Sequence, residues 1–141
     1  VYSYEGWYAY ISSLENYYAC SMKLLTQEAR DGLFGVRNRP VLTKVRNSPP
    51  TRYSAGSDVT NSVIADGCVI EGKVENCILF RGVRIGRGAV IRNSILMQNT
   101  YVGSDVRLDC VITDKDVVIR DGRRLSGCEK LPYFIGKGGR L

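Results

Sequence analysis

Hydrophobic and polar positions alternate along residues 58 to 127 with a rhythm that neither a helix nor an ordinary strand produces. A short phrase, polar then small then two aliphatics, returns as Asn61-Ser62-Val63-Ile64, Asn76-Cys77-Ile78-Leu79, Asn93-Ser94-Ile95-Leu96 and Asp109-Cys110-Val111-Ile112, at spacings of 15, 17 and 16 residues. Within these units a six-residue step is visible. Branched aliphatics fall at Ile64 and Ile70, then Leu79, Ile85 and Ile91, then Leu96, Val102 and Leu108, then Ile112. Two residues before each stands a small or β-branched residue: Ser62, Cys68, Cys77, Val83, Ala89, Ser94, Thr100, Val106 and Cys110. Internal periodicity dictates architecture and is settled before other signals.

A step with one large and one small buried position fits a strand of about four residues followed by a tight corner. Three such sides close a triangular coil. Stacked coils pair edge to edge as parallel strands, with the aliphatics filling a narrow prism. Gly67, Gly72, Gly82, Gly86, Gly88, Gly103 and Gly122 then serve corners that need positive φ. The pattern predicts a mainly β chain, with a parallel β-helix of roughly four coils over 58–127.

This repeat resembles the hexapeptide-repeat left-handed β-helix, in which an aliphatic is often followed by Gly or an acid. Ile70-Glu71, Ile85-Gly86, Val102-Gly103 and Leu108-Asp109 carry the resemblance. The left hand is implied by the resemblance and departs from the usual right-handed crossover. The pattern breaks at the seven-residue step from Ile112 to Ile119, and where Arg123 takes the small slot before Leu125, so the prism is expected to end there.

Ahead of the repeat the period changes. Leu14, Tyr17, Tyr18, Ser21, Met22 and Leu25 fall mostly on one helical face, and Ser12 with Glu15 reads as a capping box, predicting one helix from 12 to about 30 stopped by Gly32 and Gly35. The expected divisions are 1–36, a helix-bearing remnant of a preceding domain; 37–57, a basic connector; 58–127, the β-helix; and 128–141, a tail leaving the repeat. The connector ends at Ser48-Pro49-Pro50, where two prolines forbid regular ladder pairing. Tyr2, Tyr4, Trp7, Tyr8 and Tyr10 are more aromatic surface than a lone helix covers, and are expected to pack on a preceding domain. The start at Val1 in mid-pattern likewise predicts a piece of something longer.

Charge refines this picture once it is located. Of the formal +6, the stretch between Gly32 and Ser57 supplies +5, from Arg37, Arg39, Lys44, Arg46 and Arg52 with no acid. A nucleic-acid surface interleaves aromatics and spreads charge along one face. Only Tyr53 is near, so no nucleic-acid partner is expected, and a solvated or phosphate-binding connector is. No apolar run approaches the ~18 residues of a membrane span, and a soluble, cytoplasmic protein without a membrane partner is expected. Of the five cysteines, Cys68, Cys77 and Cys110 occupy small inward slots. They read as reduced core residues, since no CxxC spacing or histidine accompanies them.

The chain has no histidine. That removes the histidine general base on which acyl transfer by hexapeptide β-helices depends, and a three-histidine zinc site with it. Asp105 with Asp109, and Asp114 with Asp116, sit at corners where acids are solvated. Gly82 to Gly88 lacks the strand-then-helix context of a dinucleotide loop, and Gly136 to Arg140 lacks that of a P-loop. No catalytic residue and no metal site are assigned within these residues.

Several phrases together resemble the carboxy-terminal third of the ADP-glucose pyrophosphorylases (glucose-1-phosphate adenylyltransferases). Gly6-Trp7-Tyr8-Ala9-Tyr10-Ile11-Ser12-Ser13 falls where catalytic subunits carry Gly-Tyr-Trp-x-Asp-Val-Gly-Thr. Arg39-Pro40-Val41-Leu42-Thr43 resembles Trp-Pro-Ile-x-Thr, Pro49-Pro50-Thr51-Arg52-Tyr53 resembles Pro-Pro-x-Lys-Phe, and Val111-Ile112-Thr113-Asp114-Lys115 resembles Ile-Ile-Asp-Lys. The resemblance implies that residues 1–36 end a nucleotidyltransferase domain. It also implies a holoenzyme that makes ADP-glucose from ATP and glucose 1-phosphate for glycogen synthesis.

One departure separates subunit types. The family's Asp in the first phrase helps hold the catalytic Mg²⁺, and Tyr10 stands in its place. A neutral phenol is a poor ligand for a hard cation. The resemblance is therefore to the GlgD-type glycogen-biosynthesis subunit, which accompanies a catalytic subunit, and implies no cofactor in this stretch, with Mg²⁺ belonging to the catalytic subunit. The implied work is subunit contact, with a catalytic subunit or with itself, and transmission of effector binding. A catalytic subunit with an altered metal site and a purely structural assembly β-helix stand as alternatives. The family's anionic effectors, sugar phosphates or phosphate, bind near the β-helix boundary. Tyr133-Phe134-Ile135-Gly136-Lys137 resembles a Tyr-Phe-Ile-Lys-Ser-Gly element that contacts them, so Lys44, Arg52 and Lys137 are the expected effector-binding residues.

Overall fold

The repeat forms strands of two or three residues each, and the computed structural model, which describes all 141 residues, stacks them into three parallel five-stranded sheets. The first face holds β1 (Arg52–Tyr53), β4 (Val69–Ile70), β7 (Arg84–Ile85), β10 (Tyr101–Val102) and β13 (Val118–Ile119). The second holds β2 (Asp58–Thr60), β5 (Lys73–Glu75), β8 (Val90–Arg92), β11 (Arg107–Asp109) and β14 (Arg124–Ser126). The third holds β3 (Val63–Ile64), β6 (Ile78–Leu79), β9 (Ile95–Leu96), β12 (Val111–Thr113) and β15 (Tyr133–Ile135). This is the mainly β parallel β-helix that the six-residue step predicts. Ile70, Leu79, Ile85, Ile91, Leu96, Val102, Leu108 and Ile119 are 2% exposed or less and fill the prism.

Two expectations change in the fourth repeat and beyond. Ile112 pairs with Ile95 and Thr113 with Leu96, so Cys110 corresponds to Asn93, not to Ser94. The last spacing is therefore 17 residues, and Ile112 points outward. Thr113 takes the inward slot and is fully buried, a place that an aliphatic pattern cannot find. Its hydroxyl lies 2.8 Å from that of Thr100 and accepts from the Met97 N–H, which offsets the cost of burying it. The six-residue step then resumes from Thr113 to Ile119.

Nor does the stack stop at 127 or begin at 58. Tyr133–Ile135 pairs with Val111–Thr113, and Arg140 bridges to Val118, so residues after 128 form a further rung once a short turn closed by the Cys128–Leu131 bridge has been passed. At the other end Arg52–Tyr53 pairs with Val69–Ile70, which draws the end of the connector into the first sheet.

Corners are set by residues that tolerate left-handed backbone. Asn61, Asn76, Asn93 and Cys110 share one corner column at φ between 43° and 53°. The amides there form a ladder: Asn61 Nδ2 donates to Asn76 Oδ1, Asn76 to Asn93, and Asn93 to Asp109 Oδ1, at 2.7, 3.4 and 2.9 Å. A second such contact joins Asn99 to Asp116 at 3.0 Å. The corner at Glu71-Gly72 is shorter than those above it, and a Cβ on Gly72 would meet Ala89 O at 2.5 Å. Gly72, Gly86 and Gly103, expected at positive φ, do not adopt it; the close approach of the next rung's backbone is what requires glycine there.

The helical segment is two helices, where one was expected. α1 spans Leu14–Lys23 and α2 spans Gln27–Phe34. Thr26 causes the break: its hydroxyl donates to Lys23 O and accepts from Ala29 N–H, capping the second helix. Ser13, not Ser12, caps the first by accepting from Asn16 N–H. Gly35 ends α2, while Gly32 lies inside it, where a Cβ would meet Trp7 Cβ at 3.0 Å. α1 seats on the outer side of the third face, with Tyr18, Tyr17 and Met22 against Ile78, Ile95 and Ile112. The aromatics ahead of it do not join that contact: Tyr2, Tyr8 and Tyr10 are 90%, 79% and 74% exposed.

Candidate functional site

The corner between the third and first faces stacks rung on rung through one backbone bond each. Gly67 N–H donates to Pro49 O, Gly82 to Asp66 O, Asn99 to Arg81 O, Asp116 to Gln98 O and Gly138 to Lys115 O. The acceptors therefore form a column, Pro49, Asp66, Arg81, Gln98 and Lys115, and Lys137 stands next along it, just before Gly138. The residues after Asp66, Arg81, Gln98, Lys115 and Lys137 all have positive φ, so each of these five precedes the same sharp reversal.

The connector crosses this column and closes a cleft of about 470 Å³ with no hydrophobic lining residue. Lys44, Arg46, Arg81 and Lys115 bring four cations to it, beside Gln98 and Asp116. Arg81 ties the two walls together: its Nη1 donates to Lys44 O at 3.4 Å, and its Nε pairs with Asp66 Oδ1 at 3.1 Å. The Ser48 hydroxyl above all, with the Arg81 guanidinium, holds the Asp66 carboxyl below the usual carboxylate range. Gln98 Oε1 is buried with no hydrogen-bond partner. A buried acceptor without a donor is costly, and here it stands among ammonium and guanidinium groups. The arrangement can hold an anion through several charge-assisted bonds.

The expected effector residues are divided by this geometry. Lys44 lines the cleft, and Lys137 lies one rung past Lys115 on the same column. Arg52 lies across the ridge of Pro49 and Gly67, in a separate groove with Arg84 and Tyr101. Arg81 and Lys115 enter the site without having been singled out. Their signal was present, since each precedes a left-handed corner residue, but only the rung-to-rung register brings Arg81 and Lys115 to one cleft with the connector.

Tyr10 stands in the non-helical lead-in to α1 with its side chain largely exposed. No three His, Cys, Asp or Glu side chains stand together as a candidate metal cluster. Burial pushes the Cys77 thiol up to about 12 and raises that of Cys68, which keeps both protonated and unreactive. No helix is long and apolar enough to cross a membrane.

Comparison with known proteins agrees with this architecture. The family described as GlmU-like, C-terminal hexapeptide matches over residues 49–129. The glycogen biosynthesis protein GlgD of Bacillus subtilis (strain 168) is 44% identical over 137 residues, covering 97% of this chain and 40% of that protein. GlgD of Geobacillus stearothermophilus is 47% identical over 118 residues, 84% of this chain and 34% of the relative. A glucose-1-phosphate adenylyltransferase of Desulfitobacterium hafniense (strain DSM 10664 / DCB-2) is 30% identical over 119 residues, 84% and 30% respectively. The chain spans 40% or less of the length of these relatives. With its three-faced prism of hexapeptide rungs, the chain belongs to the GlmU-like C-terminal hexapeptide family, and within it is related to the GlgD glycogen biosynthesis proteins and, more distantly, to glucose-1-phosphate adenylyltransferases.

Proposed function

We propose that this chain is the C-terminal β-helix part of a non-catalytic, regulatory subunit of a cytoplasmic ADP-glucose pyrophosphorylase, which assembles with a catalytic subunit and carries an anionic effector at the connector–prism corner. The observation that carries the reading is the convergence of Lys44, Arg46, Arg81 and Lys115 on one polar cleft. A sugar phosphate or inorganic phosphate has the charge and the acceptor oxygens for this donor set. Tyr10, where the family's catalytic members carry a metal-binding Asp, supports the non-catalytic assignment.

The test uses the full-length parent, assayed for ADP-glucose formation alone and mixed with its catalytic subunit. The expected result is no activity alone and a changed rate or effector response in the mixture. Robust activity alone would move the chain to the catalytic class. In the mixture, Lys44→Ala and Lys115→Ala are each expected to raise the half-saturating concentration of sugar-phosphate or phosphate effector about tenfold, the worth of roughly 1.4 kcal/mol. An unchanged response in both would remove the anion site.

A further inference from the structure

The three faces of the prism differ in what their outer side chains find. On the third face, α1 covers Ile95 and Ile112 completely. On the second, two of the outward cations meet acids along the stack, Lys73 with Asp58 at 3.1 Å and Arg92 with Glu75 at 3.3 Å. The first face is neither covered nor paired in this way. Its strand register lines up Arg52, Val69, Arg84, Tyr101, Val118 and Arg140 in one outward column.

None of those three arginines makes an ion pair, since the ion pairs of the chain involve Lys73, Arg81 and Arg92 only. Tyr101, between two of them, is 46% exposed. A groove of about 570 Å³ runs over Arg52, Val69, Arg84 and Tyr101, walled by Pro49 and Pro50. Arginine and tyrosine, with small apolar side chains between them, are the composition of a protein docking surface.

We propose that the first face docks an acidic amphipathic helix of the partner subunit; this rests on the hetero-oligomeric reading above. The spacing selects that occupant. Rungs are about 4.8 Å apart, which puts Arg52 and Arg84, two rungs apart, at about 9.6 Å. Carboxylates at i and i+7 of a helix lie about 10.5 Å apart along its axis. A helix running along the stack would set one carboxylate on each arginine and an apolar side chain on Val69 between them, with another beside Tyr101. The third face already receives α1 along its apolar column. The first face presents its own rung column with arginines in it, so a helix seated there would carry acids to meet them.

The experiment is sedimentation velocity of the full-length protein with its catalytic subunit. Arg52→Glu/Arg84→Glu is compared with Arg107→Glu/Arg124→Glu, the same charge change on the second face. Association is expected to weaken tenfold or more for the first pair and less than twofold for the second. Tyr101→Ser, which leaves charge unchanged, is expected to weaken it severalfold. First-face variants that associate like the wild type would overturn the docking surface and leave the subunit reading intact. Equal weakening by both pairs would reduce the effect to unspecific charge and also overturn it. A wild type that fails to associate removes the subunit reading itself. A homodimer lost on charge reversal of the first face would assign that face to a second copy, against this proposal.

Discussion

Tyr18 is the side chain that fastens the helical segment to the prism. It is 3% exposed, and its hydroxyl donates to Asn93 O at 2.6 Å beside the Cys110 thiol. Tyr18→Phe keeps the ring and orphans that carbonyl, so a loss of about 1 kcal/mol is expected in chemical denaturation. Burial holds the Tyr18 phenol well above its ordinary pKa. A group whose folded pKa is raised contributes stability that is intact below the unfolded value, near 10, and is lost as pH rises beyond it. Tyr18→Phe is therefore expected to flatten the alkaline fall in stability. A parallel fall in wild type and variant would sink this account. Cys77 makes the opposite case. Its thiol donates to Glu75 O, as the Ser94 hydroxyl does to Arg92 O one rung on. Cys77→Ser is expected to stay within about 1 kcal/mol of wild type, measured the same way.

Among the elements, β12 shows how far the pattern could be read. The outward aliphatics Ile95 and Ile112 and the inward Leu96 are equally hydrophobic, so the phrase alone could not tell which of two neighbouring aliphatics faces in. The polar Thr113 then concealed the slip. What decides the register is the backbone, through Cys110 at the left-handed corner where earlier rungs use Asn. The Thr100–Thr113 pair follows from that register and is testable by a double-mutant cycle. Thr113→Val alone removes one hydroxyl of the pair, while Thr100 keeps its bond to Met97 O and the Met97 N–H keeps its bond to Thr113 O; it is expected to cost about 0.5–1.5 kcal/mol, and Thr100→Val/Thr113→Val is expected to cost less than the sum of the two single losses. Additive losses in thermal denaturation would mean that the hydroxyls do not depend on each other. The helix break was hidden for a similar reason: Thr26 sits inside an apolar helical period, and its capping role shows only once its hydroxyl is seen bonding in both directions.

For the whole molecule, stability is the sum of rungs that each bury their neighbours. Ile85→Asp sets an unpaired charge among fully buried aliphatics and is expected to cost several kcal/mol, enough to unfold the chain at ambient temperature in a melting experiment. Deleting residues 128–141 would strip Tyr133–Ile135 from β12 and Leu141 from the core edge. A clear drop in melting temperature is expected, where a disordered tail would leave it unchanged. The repeat, the face assignments and the basic connector were legible because they are local and periodic. The last rung was not, because a four-residue turn interrupts its period, and the cleft was not, because it joins positions more than 30 residues apart. The amide ladder on the outside of the prism has one more property. Asn76 and Asn93 each receive a hydrogen bond on the oxygen and pass one on from the nitrogen, but Asp109, and likewise Asp116 after Asn99, has no proton to hand forward. The ladder thus has a direction and a terminus, and the rung beyond that terminus, Tyr133–Ile135, stacks on β12 by strand pairing without it.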